Sequence, residues 1–78
     1  MRTLVLTVLG NDRPGLVEAI ANVIADAGGS WDRSHMSRLA GKFAGIVEAT
    51  VPAGRHHDVV AELRGLSDRG LLNVEVES

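Results

Sequence analysis

The residues best placed for chemistry are Gly10-Asn11-Asp12-Arg13-Pro14-Gly15-Leu16. An apolar run, Leu4 to Leu9, stops at this stretch, and an amphipathic pattern, Leu16 to Ala27, starts from it. A helix that opens here has free backbone N–H groups in its first turn, and its dipole places about half a positive charge there. A small anion or a carboxylate fits such a place. Gly15 has no Cβ, so a ligand can approach the backbone closely. Simpler roles compete. Asn11 or Asp12 can cap the helix, and Pro14 is tolerated in a first turn. Gly15 can serve turn geometry or close helix–sheet packing, and Arg13 can be a solvated or interface-pairing charge.

Other polar clusters carry less. His56-His57-Asp58 invites a metal or acid–base reading. Neighbouring helical residues point about 100° apart, however, and do not easily share a metal. A polar helix start is the plainer reading. His35 reads as a surface or dimer residue, and Trp31 as a core or interface anchor. No Ser-His-Asp or paired-carboxylate constellation stands out, so the chain does not read as an enzyme. A small hydrolase or isomerase would have to use His35 or His57. With no cysteine there is neither a disulfide nor a thiolate metal site, and no metal or cofactor is expected.

The bulk numbers narrow the partners. A chain of 78 residues is one small domain, residues 1–78. It buries only about 60–65% of the surface its unfolded state exposes, so its core is thin. Hydrophobic content is nonetheless 45%. Burial against a copy is the natural remedy, and a homodimer or higher homo-oligomer is expected. A net charge of −2 without a basic face argues against direct nucleic-acid binding. One Trp, one Phe and no Tyr leave little for stacking on bases. No apolar run reaches the ~18–20 residues of a membrane span. The start, Met1-Arg2-Thr3-Leu4, reads straight into a strand pattern and lacks a signal-peptide cleavage region. The expectation is a cytoplasmic protein with no membrane partner.

The positioning elements follow from periodicity. Thr3–Leu9 reads as a strand, β1, apolar on both faces and therefore central. Leu16, Ile20, Val23, Ile24 and Ala27 predict a helix, α1, ended by Gly28-Gly29 with one glycine left-handed. Ser30–Leu39 suits an edge strand, β2. Trp31, His35 and Leu39 share a face there and Met36 takes the other, while Arg33, Arg38 and Asp32 guard the edge or pair across it. Ala40-Gly41-Lys42 reads as a tight hairpin. Phe43–Val51 is β3, with Phe43, Gly45, Val47, Ala49 and Val51 on one face. Pro52-Ala53-Gly54 breaks the strand. Val59, Val60, Leu63 and Leu66 mark α2, from about Arg55 to Arg69, with Arg64 and Arg69 suiting its carboxyl end and Gly70 as its stop. Gly65 weakens α2 or marks a close contact with the sheet. Leu72, Val74 and Val76 alternate with Asn73, Glu75 and Glu77 as β4, with an acidic outer face. The order βαββαβ predicts an α+β, ferredoxin-like fold: an antiparallel four-stranded sheet with two helices on one face.

Within this fold class the motifs discriminate. The central strands lack the aromatics of an RNA-recognition domain, no cysteine pair follows β1 as in a heavy-metal carrier, and the hairpin lacks the Asn of an acylphosphatase-like enzyme. By contrast, Asn11-Asp12-Arg13-Pro14-Gly15-Leu16 after a strand and before a helix resembles the signature of the ACT domain family. Gly28-Gly29, the strand Trp31-Asp32-Arg33-Ser34-His35-Met36-Ser37-Arg38-Leu39 and Phe43-Ala44-Gly45-Ile46-Val47 extend the resemblance over nearly the whole chain. It is most similar to the ACT domains of glycine cleavage system transcriptional repressor-type proteins. Similar Asp-Arg-Pro-Gly segments occur in formyltetrahydrofolate deformylases and nitrogen-sensing uridylyltransferases.

The resemblance implies a stand-alone, non-catalytic regulatory module that binds an amino acid or similar small metabolite. The ligand would lie at a subunit interface, between the β1–α1 turn of one copy and the start of β2 in another. It implies that Asp12 holds the ligand's amino group, that Gly15 and Leu16 supply backbone N–H groups, and that Ser30 opens β2 at a polar ligand position. Asn11 offers a second acceptor and Arg13 borders the turn, completing the candidate set. Ser30 can equally just start a strand. The alternative is a ligand-free ACT-like module that mediates self-association or docking. Any regulated enzyme or transcription factor would be a separate protein partner.

Overall fold

A computed structural model describes residues 1–68, 70 and 72–77. Among them the order is β1 (Arg2–Asn11), α1 (Leu16–Asp26), β2 (Ser30–Leu39), β3 (Lys42–Val51), a 3-10 turn (Ala53–Arg55), α2 (His56–Asp68) and β4 (Leu72–Glu77). The four strands form one sheet in the order β2-β3-β1-β4, with every neighbouring pair antiparallel. This is the βαββαβ, ferredoxin-like arrangement expected from periodicity. β1 is central and β2 lies at an edge.

Alternation explains the core. Leu4, Leu6 and Val8 of β1, Phe43, Val47, Ala49 and Val51 of β3, and Leu72 and Val74 of β4 point to one sheet face and are buried. Leu16, Ile20 and Ile24 of α1 and Val59, Leu63 and Leu66 of α2 meet them in the same cluster. Both helices therefore cover one face of the sheet. The other face is open to solvent, including Val5, Leu9 and Ile46.

Local endings follow backbone chemistry. α1 closes with the Gly28 N–H donating to the Ala25 carbonyl and the Gly29 N–H to that of Ile24, both at 2.9 Å. That is a Schellman ending, with Gly28 left-handed as expected. α2 starts at His56, after the 3-10 turn, and Arg55 pairs with Asp58 at 3.6 Å on the surface. The proposed contribution of Arg69 to its carboxyl end lies outside the described residues. Gly65 makes no close approach to the sheet, because a Cβ there would meet nothing within 4 Å. The Val74 N–H of β4 donates to the Ser67 hydroxyl at 2.9 Å, so α2 satisfies part of the β4 edge. Nothing comparable is seen along β2 among the described residues.

Two expectations need correction here. The hairpin is the two-residue turn Ala40-Gly41, with φ of 54° and 75°, and Lys42 already belongs to β3. Two left-handed residues suit the tight turn that follows strand twist. The second correction concerns β2. Trp31 pairs with Ala49 but Arg33 with Glu48, so Asp32 is an extra residue in the ladder. This bulge flips the alternation. Trp31 packs half-buried on the core with Met36, and His35 and Leu39 are left on the outer side.

Candidate ligand site at the β1–α1 turn

The sheet delivers the turn, and the hairpin underlies it. β1 runs two residues further than periodicity suggested, so Gly10 and Asn11 are strand and the turn proper is 12–15. The Asp12 N–H donates to the Gly41 carbonyl at 2.9 Å, and the Arg13 N–H to that of Asn11 at 2.8 Å. These bonds lock the chain as it leaves the sheet.

The helix start differs from the expected side-chain cap. Neither Asn11 nor Asp12 caps α1, and Pro14 precedes the helix instead of standing in its first turn. The cap residue is Gly15, at φ 89°, with no side-chain cap hydrogen bond. Its carbonyl accepts the first intrahelical bond, from the Ala19 N–H at 2.9 Å. The Leu16, Val17 and Glu18 N–H groups then have no intrahelical acceptor. Asp12 and Asn11 are committed elsewhere. The Asp12 carboxylate meets Arg38 Nε at 3.1 Å, and Asn11 Oδ1 accepts from Lys42 Nζ.

A groove of about 420 Å³ opens beside this helix start, lined by Asp12, Arg13, Pro14, Gly15, Val17, Glu18, Arg38 and Phe43. A Cβ on Gly15 would meet nothing within 4 Å. Gly15 is therefore required by its positive φ and not by close packing, and the space above it is open. The groove holds both signs: guanidinium groups and helix N–H donors beside the Asp12 and Glu18 carboxylates. Such a surface can take a carboxylate and an ammonium of one small molecule.

Of the expected site residues, Asp12, Arg13 and Gly15 line this groove together. Leu16 buries its side chain in the core and can offer only its N–H. Asn11 faces a second depression, of about 470 Å³, with Leu9, Gly10, Lys42, Gly70, Leu72 and Asn73. Ser30 is remote. It pairs with Thr50, which pairs with Thr3, whereas Asn11 pairs with Lys42. Eight strand residues separate these rows, about 27 Å. The Ser30 hydroxyl donates to Asp32 Oδ1 at 2.7 Å, and the Thr50 hydroxyl donates to Oδ2. The Thr50 bond, then the Ser30 bond, lowers the Asp32 pKa below its ordinary value. Hydrogen bonding from Arg33 to Glu48, at 2.7 Å, raises that of Arg33.

Sequence reasoning missed Arg38 and Phe43 as groove residues. A two-residue hairpin sets Leu39 opposite Lys42 and Arg38 opposite Phe43, which carries both to the turn end of the sheet. The signal was the length of the hairpin.

A family model for the ACT domain matches residues 2–77. The chain belongs to the ACT domain family. ACT domains are regulatory small-molecule-binding modules. No curated protein sequence matches this one. Solved structures share the fold at low identity. A candidate glycine cleavage system transcriptional repressor superposes with a TM-score of 0.87 at 21% identity, over 96% of this chain and 44% of that one. An ACT domain protein from Streptococcus pneumoniae gives 0.78 at 18%, over 97% and 88%. A formyltetrahydrofolate deformylase from Pseudomonas putida gives 0.79 at 20%, over 99% and 29%. The ACT domain thus spans less than half of the repressor-type and deformylase chains it resembles.

Proposed function

We propose that this ACT domain is a non-catalytic regulatory module that binds an amino acid, or a similar small metabolite, in the groove beside the β1–α1 turn. The observation that carries the reading is the Asp12–Arg38 pair set against the open start of α1. The ligand carboxylate would bind Arg38 and the Leu16–Glu18 N–H groups. Its ammonium would take the Asp12 carboxylate, displacing part of the Arg38 pairing. Arg13 borders the opening. Asn11 and its Lys42 partner would brace the turn from the other side.

Ser30 joins only through a second copy. β2 is an edge strand, and antiparallel pairing of two β2 strands would bring Ser30 of one copy to the Arg38 end of the other. This arrangement supports an interface site in a homo-oligomer and leaves Ser30 hydrogen-bonded to Asp32 in the single chain. Regulation would then run through whatever protein the ACT domain serves. In the second reading, a ligand-free association module, Asp12 and Arg38 stay paired with each other.

A thermal-shift screen of the common amino acids separates the two. At least one should raise the melting temperature, and Asp12→Ala should remove the effect. No shift with any of them would favour the ligand-free module.

A further inference from the structure

The sheet face away from the helices carries an ordered pattern that the ligand reading does not use. Val5, Leu9 and Ile46 are 38%, 48% and 54% exposed there. The register aligns this face in rows across β2, β3, β1 and β4. One row is Arg33, Glu48, Val5, Glu77, and the next is His35, Ile46, Thr7, Glu75. A third is Ser37, Ala44, Leu9, Asn73. In the first two rows the β2 edge is therefore cationic or imidazole and the β4 edge acidic. The middle is apolar or small apart from Thr7 and Glu48, which Arg33 also meets within the chain at 2.7 Å.

We propose that this outer face pairs with the same face of a second copy, about a dyad that runs along the strands. Such a dyad keeps the rows and reverses the strand order. Arg33 then faces Glu77 of the copy, and His35 faces Glu75. Glu48, held by Arg33 of its own chain, meets Val5, Ile46 meets Thr7, Ala44 meets Leu9, and each contact occurs twice. A dyad across the strands would instead set β2 over β2 and β4 over β4, with like charges opposed. The pattern thus selects the occupant: a surface acidic at one edge and basic at the other complements itself only in the first arrangement.

The size fits a weak pair. Four strands about 4.8 Å apart and about seven residues of about 3.4 Å give an area of about 450 Å² per copy. The total of about 900 Å² lies below the ~1,200 Å² of standard interfaces. The dimer is therefore concentration-dependent and weakens with salt. Its dyad does not meet that of a β2-edge pair, so using both contacts at once would extend into an open stack. A closed dimer uses one at a time.

The test is charge reversal, read by sedimentation and native mass spectrometry without added amino acid. One variant carries Glu75→Lys and Glu77→Lys, and the other carries Arg33→Glu and His35→Glu. Each alone should dimerise at least about tenfold more weakly than the unaltered chain. An equimolar mixture should restore a dimer containing one chain of each, because both edges are then complementary again. Circular dichroism of each variant should match the parent, and mixing serves as the control for folding. A parent that stays monomeric, variants that dimerise as well as the parent, or a mixture that fails to pair would each overturn the proposal.

Discussion

Replacing Asp12 by Ala should separate ligand affinity from stability. Asp12 and Arg38 pair at 3.1 Å, but their side chains are 41% and 72% exposed. Water and salt screen such a pair, and its loss costs about 0–1 kcal/mol. The turn itself is held by the Asp12 N–H to the Gly41 carbonyl, which alanine keeps. Against a bound ammonium the same carboxylate makes a charge-assisted hydrogen bond, and losing it costs about 1.5–3 kcal/mol, roughly a 10- to 150-fold change in Kd. A ligand at about 100 times its Kd stabilises the folded chain by about 2.7 kcal/mol. For a domain of this size that raises Tm by roughly 10–20 °C. A variant binding about 50-fold more weakly keeps about 0.65 kcal/mol, or roughly 3–5 °C. Calorimetry and thermal unfolding on the parent and the variant, each with and without the amino acid, give all four values. Equal ligand shifts in both chains would refute the role of Asp12. A large fall in the ligand-free Tm would show that the carboxylate is structural instead.

Other expectations follow from single contacts. Gly65→Ala should stabilise the chain by about 0.5–1 kcal/mol, since a Cβ there enters open space in a helix; chemical denaturation measures this, and a loss of stability contradicts it. Ser67→Ala removes the acceptor of the part-buried Val74 N–H and should cost about 1–3 kcal/mol, with faster amide exchange at Val74. The Asp32 carboxyl titrates below its ordinary range because the Thr50 and then the Ser30 hydroxyl bind its ionised form. The stability it contributes is therefore present above the unfolded pKa and lost as pH falls through the folded one. Thr50→Val should move its titration, followed by NMR, upward; an unchanged midpoint would exclude the hydrogen bond as the cause.

How far the sequence could be read depended on how local each determinant is. Alternation in Phe43–Val51 and Leu72–Glu77 reports burial directly, so β3 and β4 were legible with their faces. The Gly28-Gly29 ending of α1 was legible too, because a Schellman motif needs only neighbouring residues. β2 was read with its correct bounds, yet the bulge at Asp32 shifts its period by one residue and moved Trp31 to the core side. Helix capping by Asp12 failed for a different reason. Its carboxylate is drawn to Arg38, a partner distant in sequence that only the hairpin register brings near. The same register hid Arg38 and Phe43 from the candidate site. Ser30 belongs to the opposite end of the sheet, so within one chain it cannot meet the turn.

The central claim is that an amino acid binds at the start of α1 between Asp12 and Arg38. Its most direct test is NMR titration of the 15N-labelled chain with the amino acid that stabilises it most. The expected result is saturable shifts concentrated at the Asp12, Leu16, Val17 and Glu18 amides and the Arg38 side chain, with Ser30 responding only as copies associate. Saturable shifts confined to any other surface, or no shifts at ligand concentrations that saturate related modules, would contradict it.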